Sequence, residues 1–175
     1  MQFKPLALGG SWLIEPEPFR DERGAFMRTF CEAEFGSLGL VDRFPQHSLS
    51  VSHRRGTLRG LHFQRCPHAE VKVVRCVGGV IFDVIVDLRP ESATYRQWVG
   101  VELSAANGRA IYVPEGFAHG CQTLTDDAVV CYLISSPYEP DAASGVRFDD
   151  PVLAIGWPLP VSSISERDRS WPGLD

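Results

Sequence analysis

The sequence predicts an all-β fold, a sandwich or barrel with short peripheral helices, on three observations. Runs rich in β-branched residues recur at a spacing of roughly 8–12 residues. Turn residues separate them, drawn from 13 prolines and 16 glycines spread along the chain. Helix-period patterns are scarce. Short strands so punctuated belong to a sandwich or a barrel rather than to a mixed α/β sheet.

Taken in order, the first helix signal lies at about 30–38, where Thr29-Phe30-Cys31-Glu32 reads as a capping box and Gly39 as the stop. Gln46 to His53 alternates, with Ser48, Ser50 and Ser52 on one side and Leu49 and Val51 on the other. A short strand-like run, 58–64, follows Arg54-Arg55-Gly56. Two β-branched runs, 70–77 and 80–88, flank Gly78-Gly79, which predicts a two-residue hairpin. Further strands are expected at 97–103, 109–113, 117–124 and 128–134, with turns at Ala106-Asn107-Gly108, Pro114-Glu115-Gly116 and Thr125-Asp126-Asp127. Beyond Ser135 the sequence turns irregular and proline-rich, as a tail wrapping the sheets would be. The expectation is one domain, 1–175, with its β core at about 46–134 and wrapping segments at both ends.

Composition narrows the function. A domain of ~150 residues buries about 70% of its unfolded surface, so this chain can build a substantial core. A net charge of −5 argues against a nucleic-acid partner. No run approaches the ~18 apolar residues of a membrane span, and the most apolar one, 80–88, is broken by Asp83 and Asp87. The first residues lack the apolar region of a signal peptide. Five cysteines without a C-x-x-C pair predict reduced thiols in a cytoplasmic protein.

Several side chains could carry chemistry. Histidine as a residue type is the side chain best suited to take and return a proton, which makes His62 a candidate, and Arg59 offers a planar fork for phosphate. Read alone, the same stretch is equally an ordinary strand with a structural histidine. Lys72 has Val74 and Cys76 on its own strand face and Val71 and Val73 on the other. An ammonium there either snorkels to water or stands as a fixed charge inside a barrel. Tyr132 shares a face with Val130 and Ile134, the pattern of a core tyrosine, and would donate a proton only in the right geometry. His119 follows a tight turn at a strand start. Asp168 lies in a charged tail and matters only if that tail folds back to orient an imidazole. Arg23 sits in a charged loop. The five histidines form no H-x-H pattern with a nearby glutamate, so no metal is expected. Neither G-x-G-x-x-G nor a P-loop occurs, and no cofactor is implied.

Together the motifs resemble the dTDP-4-dehydrorhamnose 3,5-epimerase family nearly end to end. The marks are D-E-R-G at 21–24, L-R-G-L-H-F-Q at 58–64, V-K-V-V-R at 71–75 and F-D-V-I-V-D-L-R at 82–89. V-E-L-S-A at 101–105, P-E-G-F-A-H-G at 114–120, Tyr132, D-D-P at 149–151, I-G-W-P-L at 155–159 and S-E-R-D-R at 165–169 continue them. The resemblance implies a jelly-roll, cupin-like β-barrel with short peripheral helices, a metal-free homodimer with its jelly-roll core at about 46–134, acting on a nucleotide-linked 4-keto-6-deoxyhexose, dTDP-4-dehydro-6-deoxyglucose above all. It assigns His62 as base, Asp168 as its orienting carboxylate, Tyr132 as acid and Lys72 as the enolate's cation. Arg59 and Arg23 become diphosphate ligands, Arg23 given across the dimer. His119, Gln46, Phe19, Gln64 and Tyr138 become substrate contacts.

The chain departs from the family pattern at Arg28, where Glu is common, at Ser48, near an Asn, at Ala143, in place of an acid, and at Leu133, where a lysine usually follows the tyrosine. These positions bear on nucleotide and sugar recognition. They leave open epimerisation at one centre, or on another activated hexose. From other classes, the alternatives are a metal-dependent cupin oxygenase or isomerase and a silent sugar-nucleotide binder. One geometric expectation follows as well. Strict alternation sends Arg59 and His62 to opposite faces, so a shared site requires either a bulge or kink at Gly60 or an Arg59 that reaches around the strand's end.

Overall fold

A computed structural model describes residues 1–174 and contains two antiparallel sheets and a small hairpin. The strands are β1 (Gln2–Pro5), β2 (Trp12–Glu15), β3 (Phe19–Asp21), β4 (Gly24–Phe26), β5 (Gln46–Ser52), β6 (Leu58–Gln64) and β7 (Lys72–Gly78). They continue as β8 (Val80–Asp87), β9 (Trp98–Ser104), β10 (Ala110–Val113), β11 (Phe117–Thr123), β12 (Ala128–Ile134) and β13 (Ala143–Gly145). Helix α1 spans Glu32–Ser37, and α2 spans Glu166–Arg169.

One sheet has the order β1-β2-β10-β7-β12-β5 and the other β13-β6-β11-β8-β9. Between them lies a core of Val74, Cys76, Ile111 and Val113 against Ile81, Ile85, Leu103, Phe117 and Cys121. A second cluster sets Phe35 of α1 against Val71, Val73 and Tyr112. A third packs Leu61, Val84 and Val86 under Val146 and Leu153 of the tail. Apolar residues on both faces of β7 and β8 thus serve two cores each, which explains their unbroken β-branched character.

The strands fall where the sequence places them, but three expectations need correction. The runs around Gly78-Gly79 do not form a hairpin. β7 pairs with β10 and β12, whereas β8 pairs with β9 and β11 in the other sheet. The Gly-Gly step therefore carries the chain from one sheet to the other, a role that local turn chemistry does not distinguish from a hairpin turn. Helix α1 is shorter than 30–38 and has no capping box, since Cys31 occupies the N-cap without a side-chain bond. It is held by burial of Phe35. The sheets also extend beyond 46–134, because β1, β2 and β13 are built into them.

Candidate active site

A cavity of about 440 Å³ opens between the two sheets. One wall carries Gln46, Ser48 and Ser50 of β5, Lys72 of β7 and Tyr132 and Ile134 of β12. The other carries Arg59, His62 and Gln64 of β6 and His119 of β11, and the tail closes one side with Ser165, Arg167 and Asp168.

The bulge expected at Gly60 is present. Arg59 pairs with Cys121 and His62 with His119, so β6 spends three steps where β11 spends two. Gly60 has φ +135°, and a Cβ there would lie 2.5 Å from Gly120 Cα. Only glycine permits that approach. The extra residue turns Arg59 to the same cavity as His62. Arg59 is tethered by its Nε to Ser52 Oγ and by Nη2 to the Val51 carbonyl, both at 3.0 Å.

The tail folds back onto this strand. Ser165 caps α2, its Oγ accepting from the Asp168 N–H, and the cap aims the Asp168 carboxylate at β6. His62 Nε2 lies 2.7 Å from Asp168 Oδ1, and the Gly60 N–H donates to Oδ2 at 3.1 Å. Burial acts to raise the Asp168 carboxyl, but the bonds from His62 and Gly60 outweigh it and hold it below the usual carboxylate range. An ionised Asp168 accepts from Nε2–H and leaves His62 Nδ1 as the basic nitrogen. Trp171 stands edge-on to the imidazole, 6.3 Å between ring centres.

A second such pair lies beside it. His119 Nε2 is 2.8 Å from Asp83 Oδ1, and both side chains are buried. Asp83 Oδ2 has no hydrogen-bond partner. Burial pushes the Asp83 carboxyl up, and the neighbouring His119 and Lys72 offset this only in part. The His119 ring meets Tyr132 edge to face at 5.9 Å. Burial also drives the Tyr132 hydroxyl well above its ordinary pKa, with Cys121 and Asp83 adding to the effect and Arg59 opposing it. Tyr132 is therefore a neutral phenol. Lys72 is buried, its ammonium 2.8 Å from Glu70 Oε1 and 3.4 Å from the His62 carbonyl.

Of the remaining sequence-derived positions, Gln46 and Tyr138 line the cavity, and Gln46 Oε1 accepts from the Tyr138 N–H. Gln64 lines it too, but its amide is engaged with the His68 and Pro137 carbonyls and the Glu139 N–H. Phe19 and Arg23 are absent from the cavity. They lie on the β3–β4 hairpin, exposed, with Arg23 paired to Asp21. Among the departures, Ser48 and Ala143 line the cavity, while Arg28 pairs with Glu34 elsewhere. The sequence reading missed Glu70, Asp83 and Arg167 as site residues. Glu70 was detectable as an acid two residues from Lys72, and Asp83 as an acid interrupting the most apolar run. Among the described residues no group of three or more His, Cys, Asp or Glu could hold a metal ion. No helix among them is long and apolar enough to cross a membrane.

An imidazole backed by a carboxylate on one sheet and a neutral phenol on the other, with an ammonium lining the same cavity, define an isomerase of the acid–base type on a jelly roll. Comparison with known proteins places it more narrowly. Residues 5–175 match the pattern of the dTDP-4-dehydrorhamnose 3,5-epimerase family. The chain is 49% identical to the dTDP-4-dehydrorhamnose 3,5-epimerase of Methanothermobacter thermautotrophicus, over 99% of this chain and 94% of that protein. It is 42% identical to the dTDP-4-dehydrorhamnose 3-epimerase of Streptomyces niveus, over 97% of this chain and 82% of that one. The crystal structure of the 3,5-epimerase from Bacillus anthracis, with TDP and PPi bound, superposes with a TM-score of 0.96 at 41% identity, covering 99% of both chains. The chain belongs to the dTDP-4-dehydrorhamnose 3,5-epimerase family.

Proposed function

We propose that the protein epimerises dTDP-4-dehydro-6-deoxyglucose at C3 and C5, with His62 as base and Tyr132 as acid. The observation that carries this reading is the placement of the His62–Asp168 pair and Tyr132 on opposing sheets around one cavity. A C4 ketone acidifies the C–H bonds at both neighbouring carbons. His62 Nδ1 takes the proton from one face, and the electron pair moves to the ketone oxygen as an enolate. Tyr132 then returns a proton to the other face, which inverts the centre. Solvent afterwards resets both groups. Acid–base catalysis supplies ~10²–10⁴-fold, about 3–5 kcal/mol. The enolate needs more, and Lys72 is the preorganised cation that supplies it.

The other roles follow from position. Arg59 takes the diphosphate at the tail-side end of the cavity. His119 contacts the sugar, steadied by Asp83. Gln46 and Tyr138 form the rim, and Gln64 serves by fixing the 137–139 backbone that carries Tyr138. Arg23 and Phe19 reach the substrate from a second copy of the chain. Two features support such a homodimer. Phe19 and Phe26 are 80% and 76% exposed on the hairpin, and Leu49 is 68% exposed on the edge strand β5, where the serines face inward. Five free cysteines fit a reducing, cytoplasmic setting.

The test is incubation of the metal-stripped protein with dTDP-4-dehydro-6-deoxyglucose in heavy water, followed by NMR. Deuterium at C3 and C5 is expected. Label at C3 alone reduces the activity to that of a 3-epimerase and points to Ser48 and Ala143. Activity only after adding metal overturns the reading.

A further inference from the structure

We infer that Glu70 is a positioning residue for the epimerisation: it holds the Lys72 ammonium, charged and aimed, beside the site of the enolate. This rests on the reading of Lys72 as the enolate's cation. Glu70 lies in the segment that leads into β7, two residues before Lys72, which opens the strand. Their charged atoms are 2.8 Å apart, and only 11% and 10% of the two side chains is exposed. An ammonium so far out of water, without a counter-charge, is driven to shed its proton. A neutral amine would leave the enolate without its cation.

Asp83 also acts electrostatically on Lys72 and leaves one oxygen unpartnered, but the direct ion pair of the ammonium is with Glu70. Asp168 is bonded to His62 and to the Gly60 N–H, and Asp83 Oδ1 to His119. The second contact of Lys72, the His62 carbonyl at 3.4 Å, is long and carries no charge. Glu70 is thus the carboxylate that pins a four-carbon side chain which would otherwise sample many rotamers. Its pairing also answers the puzzle the sequence poses, a lysine with apolar neighbours on both strand faces. Held by Glu70, the ammonium lies 3.4 Å from the His62 carbonyl on β6, so base and cation stand close together.

The test is a double-mutant cycle, read as kcat and KM for epimerisation and as deuterium exchange. Glu70→Ala is expected to lower kcat roughly 30-fold with KM changed less than about threefold, since Lys72 acts on the enolate rather than on bound substrate. Glu70→Gln keeps an oxygen at the same reach but removes the counter-charge, so it should recover only part of the loss and leave kcat roughly 10-fold below wild type. In a Lys72→Met background, Glu70→Ala should cost less than about twofold, because its effect passes through the missing ammonium. Glu70→Leu, of similar bulk, replaces the alanine variant if that one does not fold. Equal losses in both backgrounds, or a raised KM with kcat intact, would overturn the inference and make Glu70 an independent substrate contact. An unimpaired Glu70→Ala would overturn it too, while leaving the wild-type reaction as proposed. A wild type that exchanges no label removes both.

Discussion

The two carboxylate–imidazole pairs stand side by side, because His62 and His119 are cross-strand partners, yet they are built to different ends. The His62 side chain is 40% exposed to the cavity, and its carboxylate is pulled below the usual range by directed donors. The His119 side chain is 6% exposed, and its carboxylate is fully buried, pushed upward, with one oxygen unpartnered. The same two residue types thus make a group that can exchange protons with a ligand and a group that holds a wall in place. Environment separates them: a capped tail supplies Asp168, whereas a core strand supplies Asp83.

That contrast can be broken at several points. The largest effect is expected from His62→Ala, which should cut epimerisation by at least ~10³-fold in steady-state assays while the fold survives by circular dichroism. Asp168→Asn should follow with a loss of ~10²–10³-fold, since an amide no longer fixes the tautomer that leaves Nδ1 basic. Asp83→Asn should cost less than ~10-fold, mostly in KM, if the second pair only steadies a substrate contact. A loss as deep as that of Asp168→Asn would make the two pairs equivalent.

The smallest effect is in stability against pH, and its sign differs between the pairs. Asp168 is depressed in the folded state, so its contribution is complete above the unfolded value of ~3.9 and is lost as pH falls through the folded one. Asp83 is raised, so its folded form is favoured most below ~3.9 and loses ground as pH rises toward the folded value. Urea unfolding between about pH 3 and 6 should therefore show steeper acid destabilisation in Asp83→Asn and shallower in Asp168→Asn. Parallel curves would contradict the assignment.

Much of this was legible in the sequence, for reasons that can be located. The all-β sandwich or barrel was readable because β-branched runs and turn residues are local signals, and the motif resemblance narrowed it to a jelly roll. The bulge at Gly60 was readable because Arg59 and His62 could not otherwise share a face. Sheet membership was not, since Gly78-Gly79 suits a hairpin and a crossing between sheets equally, and only long-range pairing decides. Asp83 looked like an interruption of a hydrophobic run because its partner is 36 residues away in sequence. Phe19 and Arg23 lie on a hairpin away from the cavity of their own chain, so the fold of one chain gives them no place beside the other site residues.

The most direct measurement follows substrate and product separately in heavy water with Tyr132→Phe. With the base intact and the acid removed, recovered substrate should gain deuterium at C3 with unchanged configuration, while epimerised product falls by ~10²-fold or more. Product formed at the wild-type rate by Tyr132→Phe, or exchange that persists in His62→Ala, would contradict a base and an acid acting from opposite sheets.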